Sequence, residues 1–229
     1  RAALGRGTVG VRYLPRVDLA SEAIVGGEAV VHWERCEGRV FPPAELRRLA
    51  EETGLIVPLE EFVLRAVCVD LGRRRAAGRA SGVISVRASA RRLVRPSGIN
   101  ELLRVVQAAG VPFEAVEVRV AESTVVQYRA AAVAAVEKMA QAGMLVALDE
   151  FGLGAASLNV LRELPFDAVV FAPAFVGRLE EGSDHAALFS AVTGLSKMLS
   201  RPRIVAAGVG DPATLALVRS LGGYAAQGP

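Results

Sequence analysis

Two adjacent carboxylates, Asp149 and Glu150, stand at the end of the apolar run Met144–Leu148 and are followed by the glycine-rich turn Gly152–Gly154. A short run with no polar alternation reads as a strand buried on both faces, which implies a parallel sheet covered by helices. In such folds the strand ends carry the chemistry, and carboxylate oxygens there are the groups that hold hard divalent cations. The competing role is local: an acid at this place caps the helix expected to begin near Ala155. How the other strands end decides between the two. Other candidates weigh less. His32 beside Trp33 on a strand reads as packed or hydrogen-bonded rather than as a general base, and His185 falls in a polar loop or helix start. No Ser or Cys has a His partner in an enzyme-like motif, and Gly-Leu-Gly at 152–154 is too short for a dinucleotide fingerprint.

The elements that must position these acids alternate along the chain. Val9–Val17 and Ile24–Trp33 read as strands joined by a short polar turn, hence a hairpin. Pro43–Thr53 has proline at its start and Gly54 just past its end, the asymmetry of a helix, and Pro58–Ala77 carries one apolar face and ends in Arg73–Arg75. Strands at Val83–Ala88, Val116–Val120, Met144–Leu148, Ala168–Phe171, Ile204–Ala207 and Tyr224–Gln227 then alternate with helices. Those helices are expected at Asn100–Ala109, Val125–Ala142, Ser157–Leu164, Ala186–Leu199 and Pro212–Leu221. This rhythm predicts a closed parallel sheet with helices outside.

Composition bounds the partners. The 229 residues, 52% of them hydrophobic and 22% charged, suffice for one α/β barrel, so residues 1–229 are expected to form a single domain. The net charge is +3, yet only Lys138 and Lys197 are lysines among 27 basic residues, and the arginines are scattered without interleaved aromatics. Nucleic acid is therefore not expected as a partner. Cys36 and Cys68 form no metal or disulfide motif, which fits reduced thiols in the cytoplasm. Apolar stretches are broken by charge well short of a membrane span, so no membrane contact is expected of this chain. It begins at Arg1 and reads as a fragment of a longer protein that could itself be membrane-anchored.

Glu28-Ala29-Val30 on the second strand resembles the EAL signature of bacterial cyclic-di-GMP phosphodiesterases, with one conservative change. YLPRVDL at 13–19, FPPAELRRLAEETGLIVPL at 41–59, VAES at 120–123, LDEFGLGAASL at 148–158, LPFDAVVFAPAFV at 164–176, VAAGV at 205–209 and the closing Gln227-Gly228 resemble further family segments in the same order. The resemblance spans the whole chain and implies a TIM-like (β/α)8 barrel whose first strand is antiparallel to the others. It also implies a site: active members hold Mg²⁺ or Mn²⁺ at the barrel mouth with carboxylates and an Asn, and a Lys and a Glu assist. By that pattern Glu28, Asp149, Glu150 and Gln227 stand at family site positions. Glu122 matches a Glu that steadies a loop beside the site.

Other positions depart from the pattern. Arg87 stands where the family has its metal-binding Asn, and Arg119 where it has a Glu. Val170 replaces the Lys, Ala207 and Gly210 replace two acids, and Leu14 and His32 replace a Gln and an Arg that grip the nucleotide. Three carboxylates would face two guanidiniums that stay charged. The expectation is therefore that no metal pair binds, that no cofactor is required, and that Arg87 and Arg119 pair with Glu28, Asp149 and Glu150 in the metals' place. On this reading the chain is not an enzyme but a degenerate member acting as a regulatory or protein-interaction module, with a protein partner or a homodimer. A non-hydrolytic cyclic-di-GMP receptor is the second reading and residual phosphodiesterase activity the third.

Overall fold

The computed structural model describes residues 9–34, 40–78, 82–154 and 159–228. Strands β1 (Val9–Asp18) and β2 (Ile24–Glu34) form an antiparallel hairpin, with Leu14 opposite Glu28, and β3 (Val40–Phe41) adds a short antiparallel edge to β2. Helices α1 (Pro43–Glu52) and α2 (Ile56–Ala76) lead to β4 (Val83–Ala88), which lies parallel to β2. Then come α3 (Ala90–Val94), α4 (Gly98–Ala108), β5 (Val116–Ala121), α5 (Glu122–Gln127), α6 (Arg129–Gln141) and β6 (Leu145–Phe151). The chain continues through α7 (Asn159–Glu163), β7 (Ala168–Phe171), α8 (Pro173–Val176), α9 (Asp184–Met198), β8 (Arg203–Ala207), α10 (Pro212–Ser220) and β9 (Ala225–Gln227).

Strands β2, β4, β5, β6, β7, β8 and β9 follow one another in the sheet, and β1 pairs antiparallel with both β2 and β9 to close an eight-strand barrel. The expected antiparallel first strand is thus present. Its register puts Arg16 opposite Gln227 at the closing seam.

Local chemistry accounts for most boundaries. Gly110 and Gly143 take φ of 65° and 82° just past α4 and α6, where a left-handed residue ends a helix and residues with a Cβ are strained. Pro58 lies inside the first turn of α2, where its missing N–H costs nothing. One expected element is different: the single helix over Val125–Ala142 is two helices, broken where Tyr128 adopts φ −123°, ψ 46°. Its alanines Ala132 and Ala135 are buried, so this helix covers the barrel as an ordinary outer helix.

The core lies in two places. Outward-facing Val118, Val120, Val146, Leu148, Val169, Phe171 and Ile204 meet the helices. Inside the barrel, a small apolar group of Ala147, Ala168, Val170, Val205, Ala207 and Ala225 fills one side. The opposite side is lined by charge.

Candidate functional site

Because side chains alternate along a strand, residues two apart share the barrel interior. On β4 these are Ser85 and Arg87, and on β5 Glu117 and Arg119. The register pairs Ser85 with Glu117 and Arg87 with Arg119 on neighbouring strands. From β6 comes Asp149, from β2 Glu28, from β1 Arg16 and from β9 Gln227.

They form two layers. In the lower one Arg16 donates to Glu117 from Nη1 at 3.1 Å and Nη2 at 2.7 Å, and Ser85 Oγ donates to Glu117 Oε1 at 2.7 Å. Burial alone would lift the Glu117 carboxyl, but Arg16 and the Ser85 hydroxyl outweigh it and hold it below its ordinary value. The sequence reading did not find this pair, although the alternation VEVRV at 116–120 carries a signal. Charges at period two in a strand buried on both faces must point into the barrel and be paired there.

The upper layer opens on the barrel mouth. Arg119 donates from Nη1 to Glu28 Oε2, and its Nη2 lies 2.8 Å from Asp149 Oδ1. Arg87 Nε donates to Glu28 Oε1 at 2.8 Å and is 3.4 Å from Asp149 Oδ2, while its Nη1 donates to Glu150 Oε1 at 2.9 Å. Gln227 Nε2 donates to Glu28 Oε2 at 2.5 Å. Burial would raise Glu28, yet Arg119 and Arg87, with hydrogen bonds from Arg87 and Gln227, bring its pKa down to about 2. Burial opposes the charge of Arg87 as well, and Asp149, Glu28 and Glu150 together keep it firmly protonated. Glu150 sits where the β6–β7 register shifts, with φ +56°, a left-handed conformation that costs a residue with a Cβ about 1–2 kcal/mol.

A pocket of about 420 Å³ opens beside this layer, lined by Leu14, Glu28, Arg87, Pro173, Ala207 and Gln227 among others. Its size is that of a small-molecule site. Among the described residues, three buried polar atoms of this layer have no hydrogen-bond partner: Gln227 Oε1, Arg119 Nε and Arg119 Nη2, the last held by its ion pair with Asp149. Of the other residues singled out in the sequence, Val170 is packed in the apolar interior group and Gly210 follows β8. His32 is half-buried on β2 opposite Gly10 and has no part in the cluster. The helix that Asp149 or Glu150 would have capped near Ala155 falls outside the described residues. Glu122, the first residue of α5, accepts from the Gly152 N–H at 2.9 Å and so ties the turn after β6 to the end of β5.

Three guanidiniums, Arg16, Arg87 and Arg119, meet four carboxylates in the barrel: Glu28, Glu117, Asp149 and Glu150. Two dications would bring four more positive charges to a set that is already within one charge of balance. Glu28 and Asp149 also have their oxygens turned to arginine. The donor set therefore does not fit a pair of Mg²⁺ or Mn²⁺ ions. Among the described residues no group of three His, Cys, Asp or Glu side chains is placed to hold a metal.

The whole chain, residues 1–229, matches the EAL domain family. It belongs to that family. It is 29% identical over 228 residues to the bifunctional diguanylate cyclase/cyclic di-GMP phosphodiesterase MucR of Pseudomonas aeruginosa, covering 100% of this chain and 33% of MucR. To the cyclic di-GMP phosphodiesterase PdeR of Escherichia coli it is 29% identical over 212 residues, 91% of this chain and 31% of PdeR. The chain thus spans about a third of these relatives' length. Among solved structures, the PaMucR phosphodiesterase in complex with c-di-GMP superposes with a TM-score of 0.93 at 29% identity, covering 100% of this chain and 92% of that one. The FimX EAL domain of Xanthomonas citri, at 22% identity, shares the fold with a TM-score of 0.87, covering 100% of this chain and 88% of that one.

These names correct the expectation that the chain is not an enzyme. Relatives 28–29% identical over nearly all of it are named phosphodiesterases, so the family points to an enzyme. The substitutions at Arg87, Arg119, Val170, Ala207 and Gly210 speak against a metal pair rather than against phosphodiester chemistry as a class. No helix among the described residues is long and apolar enough to cross a membrane.

Proposed function

We propose that this domain takes cyclic-di-GMP at the barrel mouth, as part of a signalling protein of the cyclic-di-GMP phosphodiesterase family. The observation that carries the reading is the pocket of about 420 Å³ lined by Arg87, a planar cation whose side chain is 30% exposed at the barrel mouth. A guanidinium offers parallel N–H donors that match two phosphate oxygens. Leu14, Ala207 and Pro173 give the same pocket apolar walls against which a purine ring packs. The regulatory role follows from the same contact, because a ligand seated on Arg87 changes the charge and order of the mouth.

The test is a calorimetric titration of the domain with cyclic-di-GMP, run once with Mg²⁺ and once with chelator, followed by chromatography of the nucleotide. Saturable binding of one ligand per domain under both conditions is expected. No heat at millimolar nucleotide would overturn the reading. The chromatogram scores turnover in the same samples, since linear dinucleotide would place this chain's activity with that of its named relatives.

A further inference from the structure

We infer that Arg87 is the phosphate seat of this mouth and that the Glu150 carboxylate is an internal stand-in which the ligand must displace; the inference rests on the proposed function and deepens it. Of the three arginines inside the barrel, Arg119 and Arg16 have side chains 0% and 7% exposed, whereas that of Arg87 is 30% exposed and also lines the pocket. Arg87 is therefore the cation an anion can reach without dismantling the interior. Its Nε is committed to Glu28 and its Nη1 to Glu150, while its Nη2 makes none of the cluster's hydrogen bonds.

Glu150 differs from the other acids of the cluster. Its side chain is 43% exposed against 5% for Glu28 and 4% for Asp149, and it accepts a hydrogen bond from Arg87. It projects from a left-handed residue at a break in the β6–β7 register, an arrangement that aims a carboxylate at Arg87 from the rim of the barrel. Backbone of this kind is held in place by its surroundings and recurs where a site has been pre-set. A half-solvated ion pair is weak, so it is the contact that an incoming anion can exchange.

Charge balance requires exchange rather than addition. The cluster already holds one more carboxylate than guanidinium, and a phosphodiester anion joining it would double that surplus. If Glu150 swings to solvent as the phosphate arrives, the balance is unchanged. The phosphate then meets the guanidinium through the edge that the carboxylate had used.

The experiment compares wild type with Glu150→Gln, Arg87→Ala and Arg87→Lys in cyclic-di-GMP titrations with chelator present, with a melting curve for each variant. Glu150→Gln is expected to bind about 2–5-fold more tightly, the strength of the exposed pair it removes. Arg87→Ala is expected to lose about 10-fold or more, and Arg87→Lys, which keeps the charge but not the fork, to fall between. If all variants bind as wild type does, this inference fails and the proposed function stands. If none binds, wild type included, both fail. Should Arg87→Ala not fold, the tighter binding of Glu150→Gln decides alone, and its absence refutes the exchange.

Discussion

Replacing Arg119 with methionine removes the cation that meets both Glu28 and Asp149 in the interior and keeps an unbranched apolar stem in its place. Both carboxylates are 4–5% exposed at the side chain; they keep Arg87 as their ion-pair partner, and Glu28 keeps the hydrogen bond from Gln227. Breaking a buried ion pair by deleting one partner costs about 3–5 kcal/mol, because the remaining charge is neither solvated nor neutralised. For a domain of this size that corresponds to a fall in Tm of roughly 6–20 °C. Urea unfolding followed by circular dichroism at neutral pH measures it, with the slope checked for a change in the unfolded state. The pH dependence adds a second constraint. In the wild type the Glu28 pKa lies near 2 against an ordinary 4.5, so its contribution is complete above 4.5 and is lost as pH falls towards 2. In Arg119→Met the loss of that cation moves the Glu28 pKa upward from its wild-type position, so the gap between variant and wild type is widest at neutral pH and narrows in acid. A loss below about 1 kcal/mol, or a gap that widens in acid, would show that Arg119 is not the counter-ion of this layer.

The wild-type domain should lose about 3 kcal/mol on this account between pH 4.5 and 2, from the Glu28 displacement alone; denaturation across that window, with Glu28→Gln as the reference that lacks the slope, measures it. The double variant Arg87→Asn with Arg119→Glu turns the mouth into an acid cluster without internal cations. It should melt lower than wild type in chelator and regain stability on addition of Mg²⁺ or Mn²⁺, while wild-type melting is indifferent to both; a metal-responsive wild type would refute the misfit argued for the present donor set.

The fold could be read from the sequence because its determinants are local and periodic. The βα alternation, the glycines past helix ends and the hairpin turn each fix an element, and together they leave few ways to close a sheet. The break at Tyr128 was not legible, since nothing in Val125-Val126-Gln127-Tyr128 stops a helix and only the packed barrel reveals the change of direction. The pairing of Glu28 with Arg87 and Arg119 could be anticipated only as charge arithmetic. The register that sets the two arginines side by side, and the bulge that turns Glu150 towards Arg87, are tertiary. The Arg16–Glu117–Ser85 layer was missed for a different reason. It lies in mid-strand, where attention to strand ends does not reach, although its alternating charges were visible.

Arg87 and Arg119 occupy directly paired positions on adjacent strands, an arrangement that would ordinarily be costly. Two like charges about 4 Å apart repel by about 4 kcal/mol at an effective dielectric near 20. What makes it tenable is Glu28, whose two oxygens divide between them, Oε1 to Arg87 and Oε2 to Arg119, with Asp149 repeating the bridge from the other side. The signature acid thus has a structural reason to be kept that does not depend on a metal. The arginines in turn explain how Glu28 and Asp149 remain buried and charged. Each member of the cluster is stable only with the others, so the interior ion pairs form one unit. The Arg87–Glu150 contact at its rim is the part that can change without the rest.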